Sequence, residues 1–139
     1  MSLYQLAYIS RASAEFNQNN LKDILKTAKT FNQSQEITGM LIYNGGVFLQ
    51  VLEGEQDKVD SLYTKIAQDP RHIKCKRIYY EPSSVRIFGH WSMNGINLEC
   101  DKPKNLEVLK EIIDAAASGR SIGQTSPVLK LLKEFKAVK

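Results

Sequence analysis

The feature that most constrains the fold is the dipeptide Asn44-Gly45, which lies between two apolar, β-favouring runs. Both central residues of a type I′ turn need positive φ, and an Asn-Gly pair adopts such angles readily. The sequence therefore predicts a hairpin, with residues 37–43 as one strand and residues 46–52 as the other. The second strand belongs to the segment GGVFLQVLEG, which carries a glutamine among apolar side chains.

Alternating and helical periodicity along the rest of the chain predicts three further strands and four helices. The order βαββαββ indicates an α+β, ferredoxin-like sandwich with two helices on one face of a five-stranded sheet. Two amphipathic helices follow, and we expect them to cover the second face of the sheet or to mediate association. The predicted elements are strands at residues 3–9, 76–80 and 86–98 and helices at residues 21–32, 55–69, 106–118 and from residue 127.

Capping residues mark three of the predicted helix ends. Asn20 is expected to cap the start of the first helix, Gly119 follows the third helix, and Pro127 occupies the first turn of the fourth. Because the strand pattern gives way to two amphipathic helices after this sandwich, we expect the chain to have two parts. These are a domain at residues 1–100 and a two-helix extension at residues 101–139.

The composition excludes several classes of protein. With 139 residues, 42% of them hydrophobic and 24% charged, the chain has ordinary globular usage and is long enough for one core. The net charge of +4 is too weak and scattered to argue for nucleic acid. Cys75 and Cys100 have no metal-type spacing, and we expect reduced thiols and no metal. Because there is no signal peptide and no membrane-spanning run, we expect a soluble, cytoplasmic protein.

Three polar side chains interrupt otherwise apolar surfaces. Tyr8 lies on the same face of the first predicted strand as Leu6. Asn32 falls in the apolar stripe of the first helix, and Gln50 lies in a strand that looks buried. Each has an ordinary explanation: a hydrogen bond to a backbone carbonyl for Tyr8, a C-terminal helix cap for Asn32, and a wet sheet edge or a hydrogen bond to backbone for Gln50. Trp91 and Met93 share a face of the last strand, which is typical of a core. Since a buried polar network must be fully satisfied, a planar heterocycle between the two helices would explain all of them together.

On these residues the sequence resembles the BLUF domain family of flavin-binding blue-light sensors, over about residues 3–98. The resemblance rests on the segments LYQLAYIS, FNQSQEITGMLIYNGGVFLQVLEGE, QDPRH and WSM. The spacing from Asn32 through Ile-Thr-Gly to the run ending in Leu-Glu-Gly is its most specific element. The resemblance implies a noncovalently bound flavin, FAD or alternatively FMN, with its ring between the first two helices.

The family also implies roles for individual residues. Asn32 would hydrogen-bond the C4 carbonyl and N3–H of the flavin, while Gln50 would bridge the Tyr8 hydroxyl and the N5/C4 edge. Two positions, Ala28 and Phe31, depart from the more polar groups often found in the family. The residues expected to line the cofactor are Ile24, Ala28, Phe31, Asn32, Gln50, Ile66, Asp69, Arg71 and His72.

The resemblance implies a photochemical mechanism. Tyr8 would donate an electron and then a proton towards the flavin with Gln50 as relay. Rotation or tautomerisation of Gln50 would then leave a small red shift that reverts in the dark. The signal would pass through Trp91 and Met93 to the C-terminal helices and on to a separate protein partner.

We expect a photosensory homo-oligomer and no enzymatic activity, nucleic acid or membrane. The alternatives are a flavin-free BLUF-like interaction module, a ferredoxin-like RNA-binding module and an acylphosphatase-like enzyme. The third strand lacks the basic and aromatic pattern of RNA-binding modules. No nucleophile with a base at workable spacing supports an enzyme.

Overall fold

The structure is a computed structural model that describes residues 3–13, 18–70, 72–89, 94–99, 101, 103–121, 123 and 126–137. The elements are β1 (Leu3–Ala12), α1 (Gln18–Ser34), β2 (Thr38–Asn44), β3 (Val47–Glu55), α2 (Gln56–Gln68), β4 (His72–Pro82), β5 (Asn94–Asn97), α3 (Leu106–Ser118) and α4 (Pro127–Ala137). The five strands form one sheet in the order β4-β1-β3-β2-β5. Only the β2–β5 pair among these is parallel. The predicted α+β, ferredoxin-like fold class is confirmed.

The hairpin of β2 and β3 is confirmed, with its turn one residue further along than predicted. Asn44 stays in the ladder opposite Val47, so the two loop residues are Gly45 and Gly46. Their φ angles are 57° and 81°. Two consecutive positive φ angles cost least at glycine, which lacks a Cβ, and the Gly-Gly pair therefore takes the turn.

Several predicted boundaries differ from those of the structure. Helix α1 begins at Gln18, so Asn20 lies in its first turn and the predicted cap at Asn20 is wrong. An asparagine cap contributes only about 1 kcal/mol, which is too little to set a helix start by itself. Strand β4 extends beyond the predicted residues 76–80 at both ends, because it pairs with nearly the whole of β1.

The end of α1 is closed by its backbone. Glu36 adopts a left-handed φ of 56°. The N–H of Ile37 donates to the carbonyl of Asn32 at 2.9 Å, and the N–H of Glu36 donates to the carbonyl of Gln33 at 3.3 Å. This pair of bonds is the Schellman arrangement, in which the main chain satisfies the last carbonyls of a helix. The Asn32 side chain is therefore not the cap, and that ordinary explanation is wrong.

The predicted strand at residues 86–98 is wrong over its first part. Residues 86–89 form a bend and turn and no strand, residues 90–93 lie outside the described residues, and the described strand β5 is Asn94–Asn97. The N–H groups of Ile87 and Phe88 donate to the carboxylate of Glu53 at 2.6 and 2.9 Å. These amides are therefore bound to a side chain instead of a neighbouring strand.

Each face of the sheet carries a hydrophobic core. Helices α1 and α2 cover the face that includes Leu6, Leu41, Phe48 and Leu52. Helices α3 and α4 cover the opposite face, where buried side chains of both helices meet the sheet. RNA-binding modules of this topology stack bases on the sheet face that α3 and α4 cover here. The core residues on that face include Ala7, Ile9, Met40, Ile42, Leu49, Val51, Leu109, Ile112, Val128 and Leu131. The division at residue 100 stays a prediction.

Among the helices that the structure describes, none is long and apolar enough to cross a membrane.

Gly95 of β5 lies against Leu25 of α1 so closely that a side chain there would displace the Leu25 side chain. A Cβ at Gly95 would lie 2.4 Å from Leu25 Cδ1, 2.6 Å from its Cδ2 and 3.1 Å from its Cγ. Because the Leu25 side chain is flexible and only partly buried, we expect Gly95→Ala to lower the free energy of unfolding by about 1 kcal/mol, the low end of the usual cost of overpacking, in urea titrations. Gly89→Ala is the matched control, because its nearest neighbour would be Arg86 Cβ at 3.6 Å. An equal loss of unfolding free energy in both variants would contradict the steric explanation.

Candidate functional site

A cavity of about 230 Å³ opens between α1 and α2 above the sheet. Both helices turn mainly apolar side chains towards it, and the sheet supplies polar groups at its floor. Helix α1 contributes Ile24, Thr27, Ala28, Phe31 and Asn32; α2 and the residue after it contribute Leu62, Lys65, Ile66 and Asp69; the sheet contributes Tyr8, Gln50 and His72.

The floor is built around a pair of cross-strand neighbours. The β1–β3 register places Tyr8 opposite Gln50. Both side chains are buried, with exposed fractions of 1% and 4%. The Tyr8 hydroxyl donates a hydrogen bond to Gln50 Oε1. Phe48 and Leu52 share the face of Gln50 and are fully buried, so they keep water from it. The wet-edge explanation for Gln50 is therefore wrong.

Burial determines the protonation of the Tyr8 phenol. Desolvation raises its pKa well above the ordinary value, with smaller increases from Cys75, Tyr63 and Asp69. The cause is the cost of placing a phenolate in a medium of low polarity. Tyr8 therefore keeps its proton at physiological pH and presents it to Gln50.

Two further polar side chains complete the cavity. Asn32 is fully buried in α1 and lines it. His72, the first residue of β4, is held from two sides: its backbone N–H donates to the Asp69 carbonyl at 3.0 Å, and its Nδ1 lies 3.0 Å from Ser10 Oγ of β1. Its ring centroid is 4.7 Å from that of Phe48. The predicted residues from both helices and three strands therefore meet at one cavity.

Three lining residues were missed from the sequence, namely Thr27, Leu62 and Lys65. Lys65 Nζ lies 4.7 Å from the centroid of the Phe31 ring, so a cation–π contact spans the two walls. The signal for Lys65 was present in the helical spacing of α2. Residues four apart share a helix face, which puts position 65 on the same face as the predicted Asp69.

Three predicted site residues, Arg71, Trp91 and Met93, lie outside the described residues, and their roles stay predictions. Cys75 is a free, half-buried thiol, and Cys100 also lies outside the description. Within the described ranges, no group of three His, Cys, Asp or Glu side chains is placed to hold a metal ion.

The cavity suits the ring system of a flavin. Its two apolar walls, which include Ile24 and Ile66, match the faces of a planar aromatic ring. The carboxamides of Asn32 and Gln50 each offer a donor beside an acceptor, as the polar edge of such a ring requires. A volume of about 230 Å³ is below the ~300 Å³ of sites that enclose a whole drug-sized ligand. The cavity is therefore too small for a whole dinucleotide, so all but the ring end of FAD would extend beyond it.

The comparisons with known proteins agree with this geometry. The family model described as BLUF, sensors of blue-light using FAD, matches residues 3–94. The photoactivated adenylate cyclase subunit beta of Euglena gracilis is 36% identical over 99 residues, which are 70% of this chain and only 12% of that protein.

Solved structures of related proteins have the same architecture. BlrB, a BLUF protein in its dark state, is 28% identical with a TM-score of 0.81, and the match covers 99% of this chain and 98% of BlrB. Klebsiella pneumoniae BlrP1 with FMN and cyclic diGMP is 27% identical with a TM-score of 0.69, over 84% of this chain and 35% of BlrP1. From the family match and the cavity together, the chain belongs to the BLUF family of flavin-binding blue-light sensors.

Proposed function

We propose that this chain is a blue-light photoreceptor in which Tyr8 and Gln50 carry the primary photochemistry beside a noncovalently bound flavin. The observation that carries the proposal is the hydrogen bond from the Tyr8 hydroxyl to Gln50 Oε1 at the floor of the cavity. The bound flavin supplies a chromophore that absorbs blue light and then becomes a strong one-electron oxidant.

Tyr8 is the electron and proton donor in this proposal: the electron would pass to the photoexcited flavin, and electron and proton would both return to Tyr8 on recombination. A phenol that has lost an electron becomes strongly acidic, so its proton leaves along an existing hydrogen bond. That bond leads to Gln50 Oε1. Because burial excludes water from Tyr8, the protein supplies the path for this proton.

Gln50 is the switching residue. Its side-chain amide has an acceptor oxygen and a donor nitrogen of nearly the same size. It can therefore exchange the two ends by rotation, or tautomerise, without a change in volume. The altered hydrogen bond to the polar edge of the ring is the proposed source of a small red shift that reverts in the dark.

The test of this function is the absorption spectrum of the purified protein. We expect a yellow protein whose flavin bands shift to the red under blue light and return in darkness. A colourless chain that takes up neither FAD nor FMN would contradict the proposal and would support the flavin-free interaction module instead.

We propose FAD as the flavin, because the family is described as using it. FMN is the alternative, since the structure of BlrP1 contains it. The mass of the flavin released by heating the protein distinguishes the two.

Asn32 is the proposed anchor for the polar edge of the ring. Asn32→Ala removes about two hydrogen bonds of ~0.5–1.5 kcal/mol each, so we expect flavin affinity to fall about tenfold or more. Fluorescence titration of the flavin-free protein measures this. Gln33→Ala, at the exposed neighbouring position of α1, is the matched control. If Asn32→Ala retained flavin as the wild type does, the anchoring role would be wrong.

We propose that the chain acts as a sensor whose output passes through α3 and α4 to a separate protein or to a second copy of the chain. The support is the core that these helices share with the sheet. Size-exclusion chromatography with light scattering, in darkness and under blue light, tests the homo-oligomer. An unchanged monomer in both conditions would leave only the separate partner.

A further inference from the structure

Glu53 is a fully buried glutamate on β3 to which the photochemistry assigns no role. Its carboxylate accepts four hydrogen bonds. Oε1 accepts from Thr38 Oγ1 and from the N–H of Phe88, both at 2.9 Å. Oε2 accepts from Gln5 Nε2 at 2.9 Å and from the N–H of Ile87 at 2.6 Å. Two bonds to each oxygen meet the acceptor capacity of a carboxylate, and such satisfaction is the condition under which an interior tolerates one.

The four donors come from three separate parts of the chain. Gln5 belongs to β1, Thr38 belongs to β2, and the two N–H groups belong to the turn at residues 86–89. Arg86 strengthens the attachment of the turn, because its Nη1 donates to Thr38 Oγ1 at 2.9 Å and to the Glu53 carbonyl at 3.2 Å. We call this arrangement the Glu53 clamp: it fastens the turn to the middle of the sheet.

The clamp lies on the opposite face of β3 from Gln50. Successive side chains of a strand alternate between faces, so two residues three positions apart point in opposite directions. Gln50 faces α1 and α2 with Phe48, whereas Glu53 shares its side of the strand with Val51 of the opposite core. Phe88, which donates to the clamp, is only 1% exposed and belongs to the core beneath α3 and α4. The clamp therefore connects the strand that carries the switch to the core of the C-terminal helices.

We propose that Glu53 is a positioning residue for the light response, which holds Phe88 on β3 so that a shift of the strand at Gln50 is passed to α3. This inference rests on the proposed function and names its route across the sheet. The route differs from the predicted one through Trp91 and Met93, because it leaves β3 through Glu53 and the turn at residues 86–89. Glu53 acts through its hydrogen bonds to the turn and not through the flavin.

Glu53→Gln tests the clamp at nearly constant side-chain volume. The amide nitrogen that replaces one oxygen cannot accept, so two of the four donors lose their acceptor. Ile87 and Phe88 donate to different oxygens of Glu53, so we expect whichever of their N–H groups faces the new amide nitrogen to exchange with deuterium at least tenfold faster in darkness, measured by NMR. We also expect the flavin red shift to persist, since Tyr8 and Gln50 lie on the opposite face of the sheet from Glu53. The difference in α3 exchange between light and dark should be lost. Glu81→Gln, at an exposed position of β4, is the matched control.

Thr38→Val provides a second variant should Glu53→Gln not fold. It removes one donor to Oε1 and one acceptor of Arg86, so the Phe88 N–H should exchange faster while the red shift stays. Unchanged protection of both N–H groups in Glu53→Gln, or of Phe88 in Thr38→Val where only that variant folds, overturns the clamp. If a variant without the clamp keeps the full light–dark difference in α3 deuterium exchange, the positioning role is overturned. The same follows if the wild type shifts red without any change in α3 exchange. A wild type with no red shift overturns the proposed function itself, and the two failures are thereby distinguished.

Discussion

Replacing Gln50 with leucine is expected to abolish the light-induced red shift while the flavin stays bound. Leucine has neither donor nor acceptor, so the cavity loses the amide that changes its hydrogen bonds. The apolar walls formed by residues such as Ile24 and Ile66 are untouched, and they provide much of the contact area for the ring. Light-minus-dark absorption spectra of the purified variant measure the result.

The loss of the amide also affects the stability of the protein. The Tyr8 hydroxyl, buried and bonded to Gln50 Oε1, would lose its acceptor. A buried polar group left without a partner costs about 1–3 kcal/mol, so the free energy of unfolding should fall by that amount in urea titrations. Gln68→Leu, at an exposed position near the end of α2, is the matched control and should leave both the spectrum and the stability unchanged.

Gln50→Glu separates the donor and acceptor roles of the amide. A carboxyl group at this position still accepts a hydrogen bond from Tyr8, but it lacks the two N–H donors of the amide. We therefore expect the reversible red shift to be lost in this variant as well. A normal shift in either Gln50→Leu or Gln50→Glu would remove the amide switch from the mechanism.

Tyr8→Phe is expected to abolish the reversible red shift as completely as Gln50→Leu does. Phenylalanine preserves the ring and its packing but is a much weaker electron donor, and it has no phenolic proton. Flavin binding should persist, because the hydroxyl faces Gln50 and the apolar walls remain. Light absorbed by the flavin would then be lost mainly as fluorescence, so the fluorescence yield should rise. Steady-state emission and light-minus-dark absorption together check this result.

Tyr63→Phe is the matched control for Tyr8. The Tyr63 ring lies beside Tyr8, with centroids 5.7 Å apart, but the Tyr63 position lies outside the lining of the cavity. We expect Tyr63→Phe to keep the red shift. Should Tyr8→Phe retain a normal, reversible shift, another residue must be the electron donor.

The local elements were largely predictable from the sequence, because they depend on near neighbours in the chain. The alternation around Asn44-Gly45 predicted the hairpin, and only the position of the turn differed by one residue. The helical stripe of α1 predicted that Asn32 is buried, as it is. Boundaries were less reliable, since the start of α1 and the length of β4 depend on partners far away in the chain.

The candidate site was predictable as a set of residues but not as a geometry. Polar residues in apolar patterns, namely Tyr8, Asn32 and Gln50, stand out in any reading of the sequence. Lys65 did not, because a lysine on a helix is ordinarily solvated. Its place beside Phe31 follows only from how α1 and α2 pack on the sheet.

What the sequence by itself determined is the alternation of apolar and polar residues, the turn chemistry and hence the order of strands and helices. Only the tertiary structure decided which polar groups meet. The bond from Tyr8 to Gln50 joins residues 42 positions apart and depends on the β1–β3 register. Likewise, Ile87 and Phe88 are apolar and β-favouring, yet the buried carboxylate of Glu53 binds their N–H groups. The physical reason is that a buried polar group must find a partner wherever the fold supplies one, and local periodicity does not specify that partner.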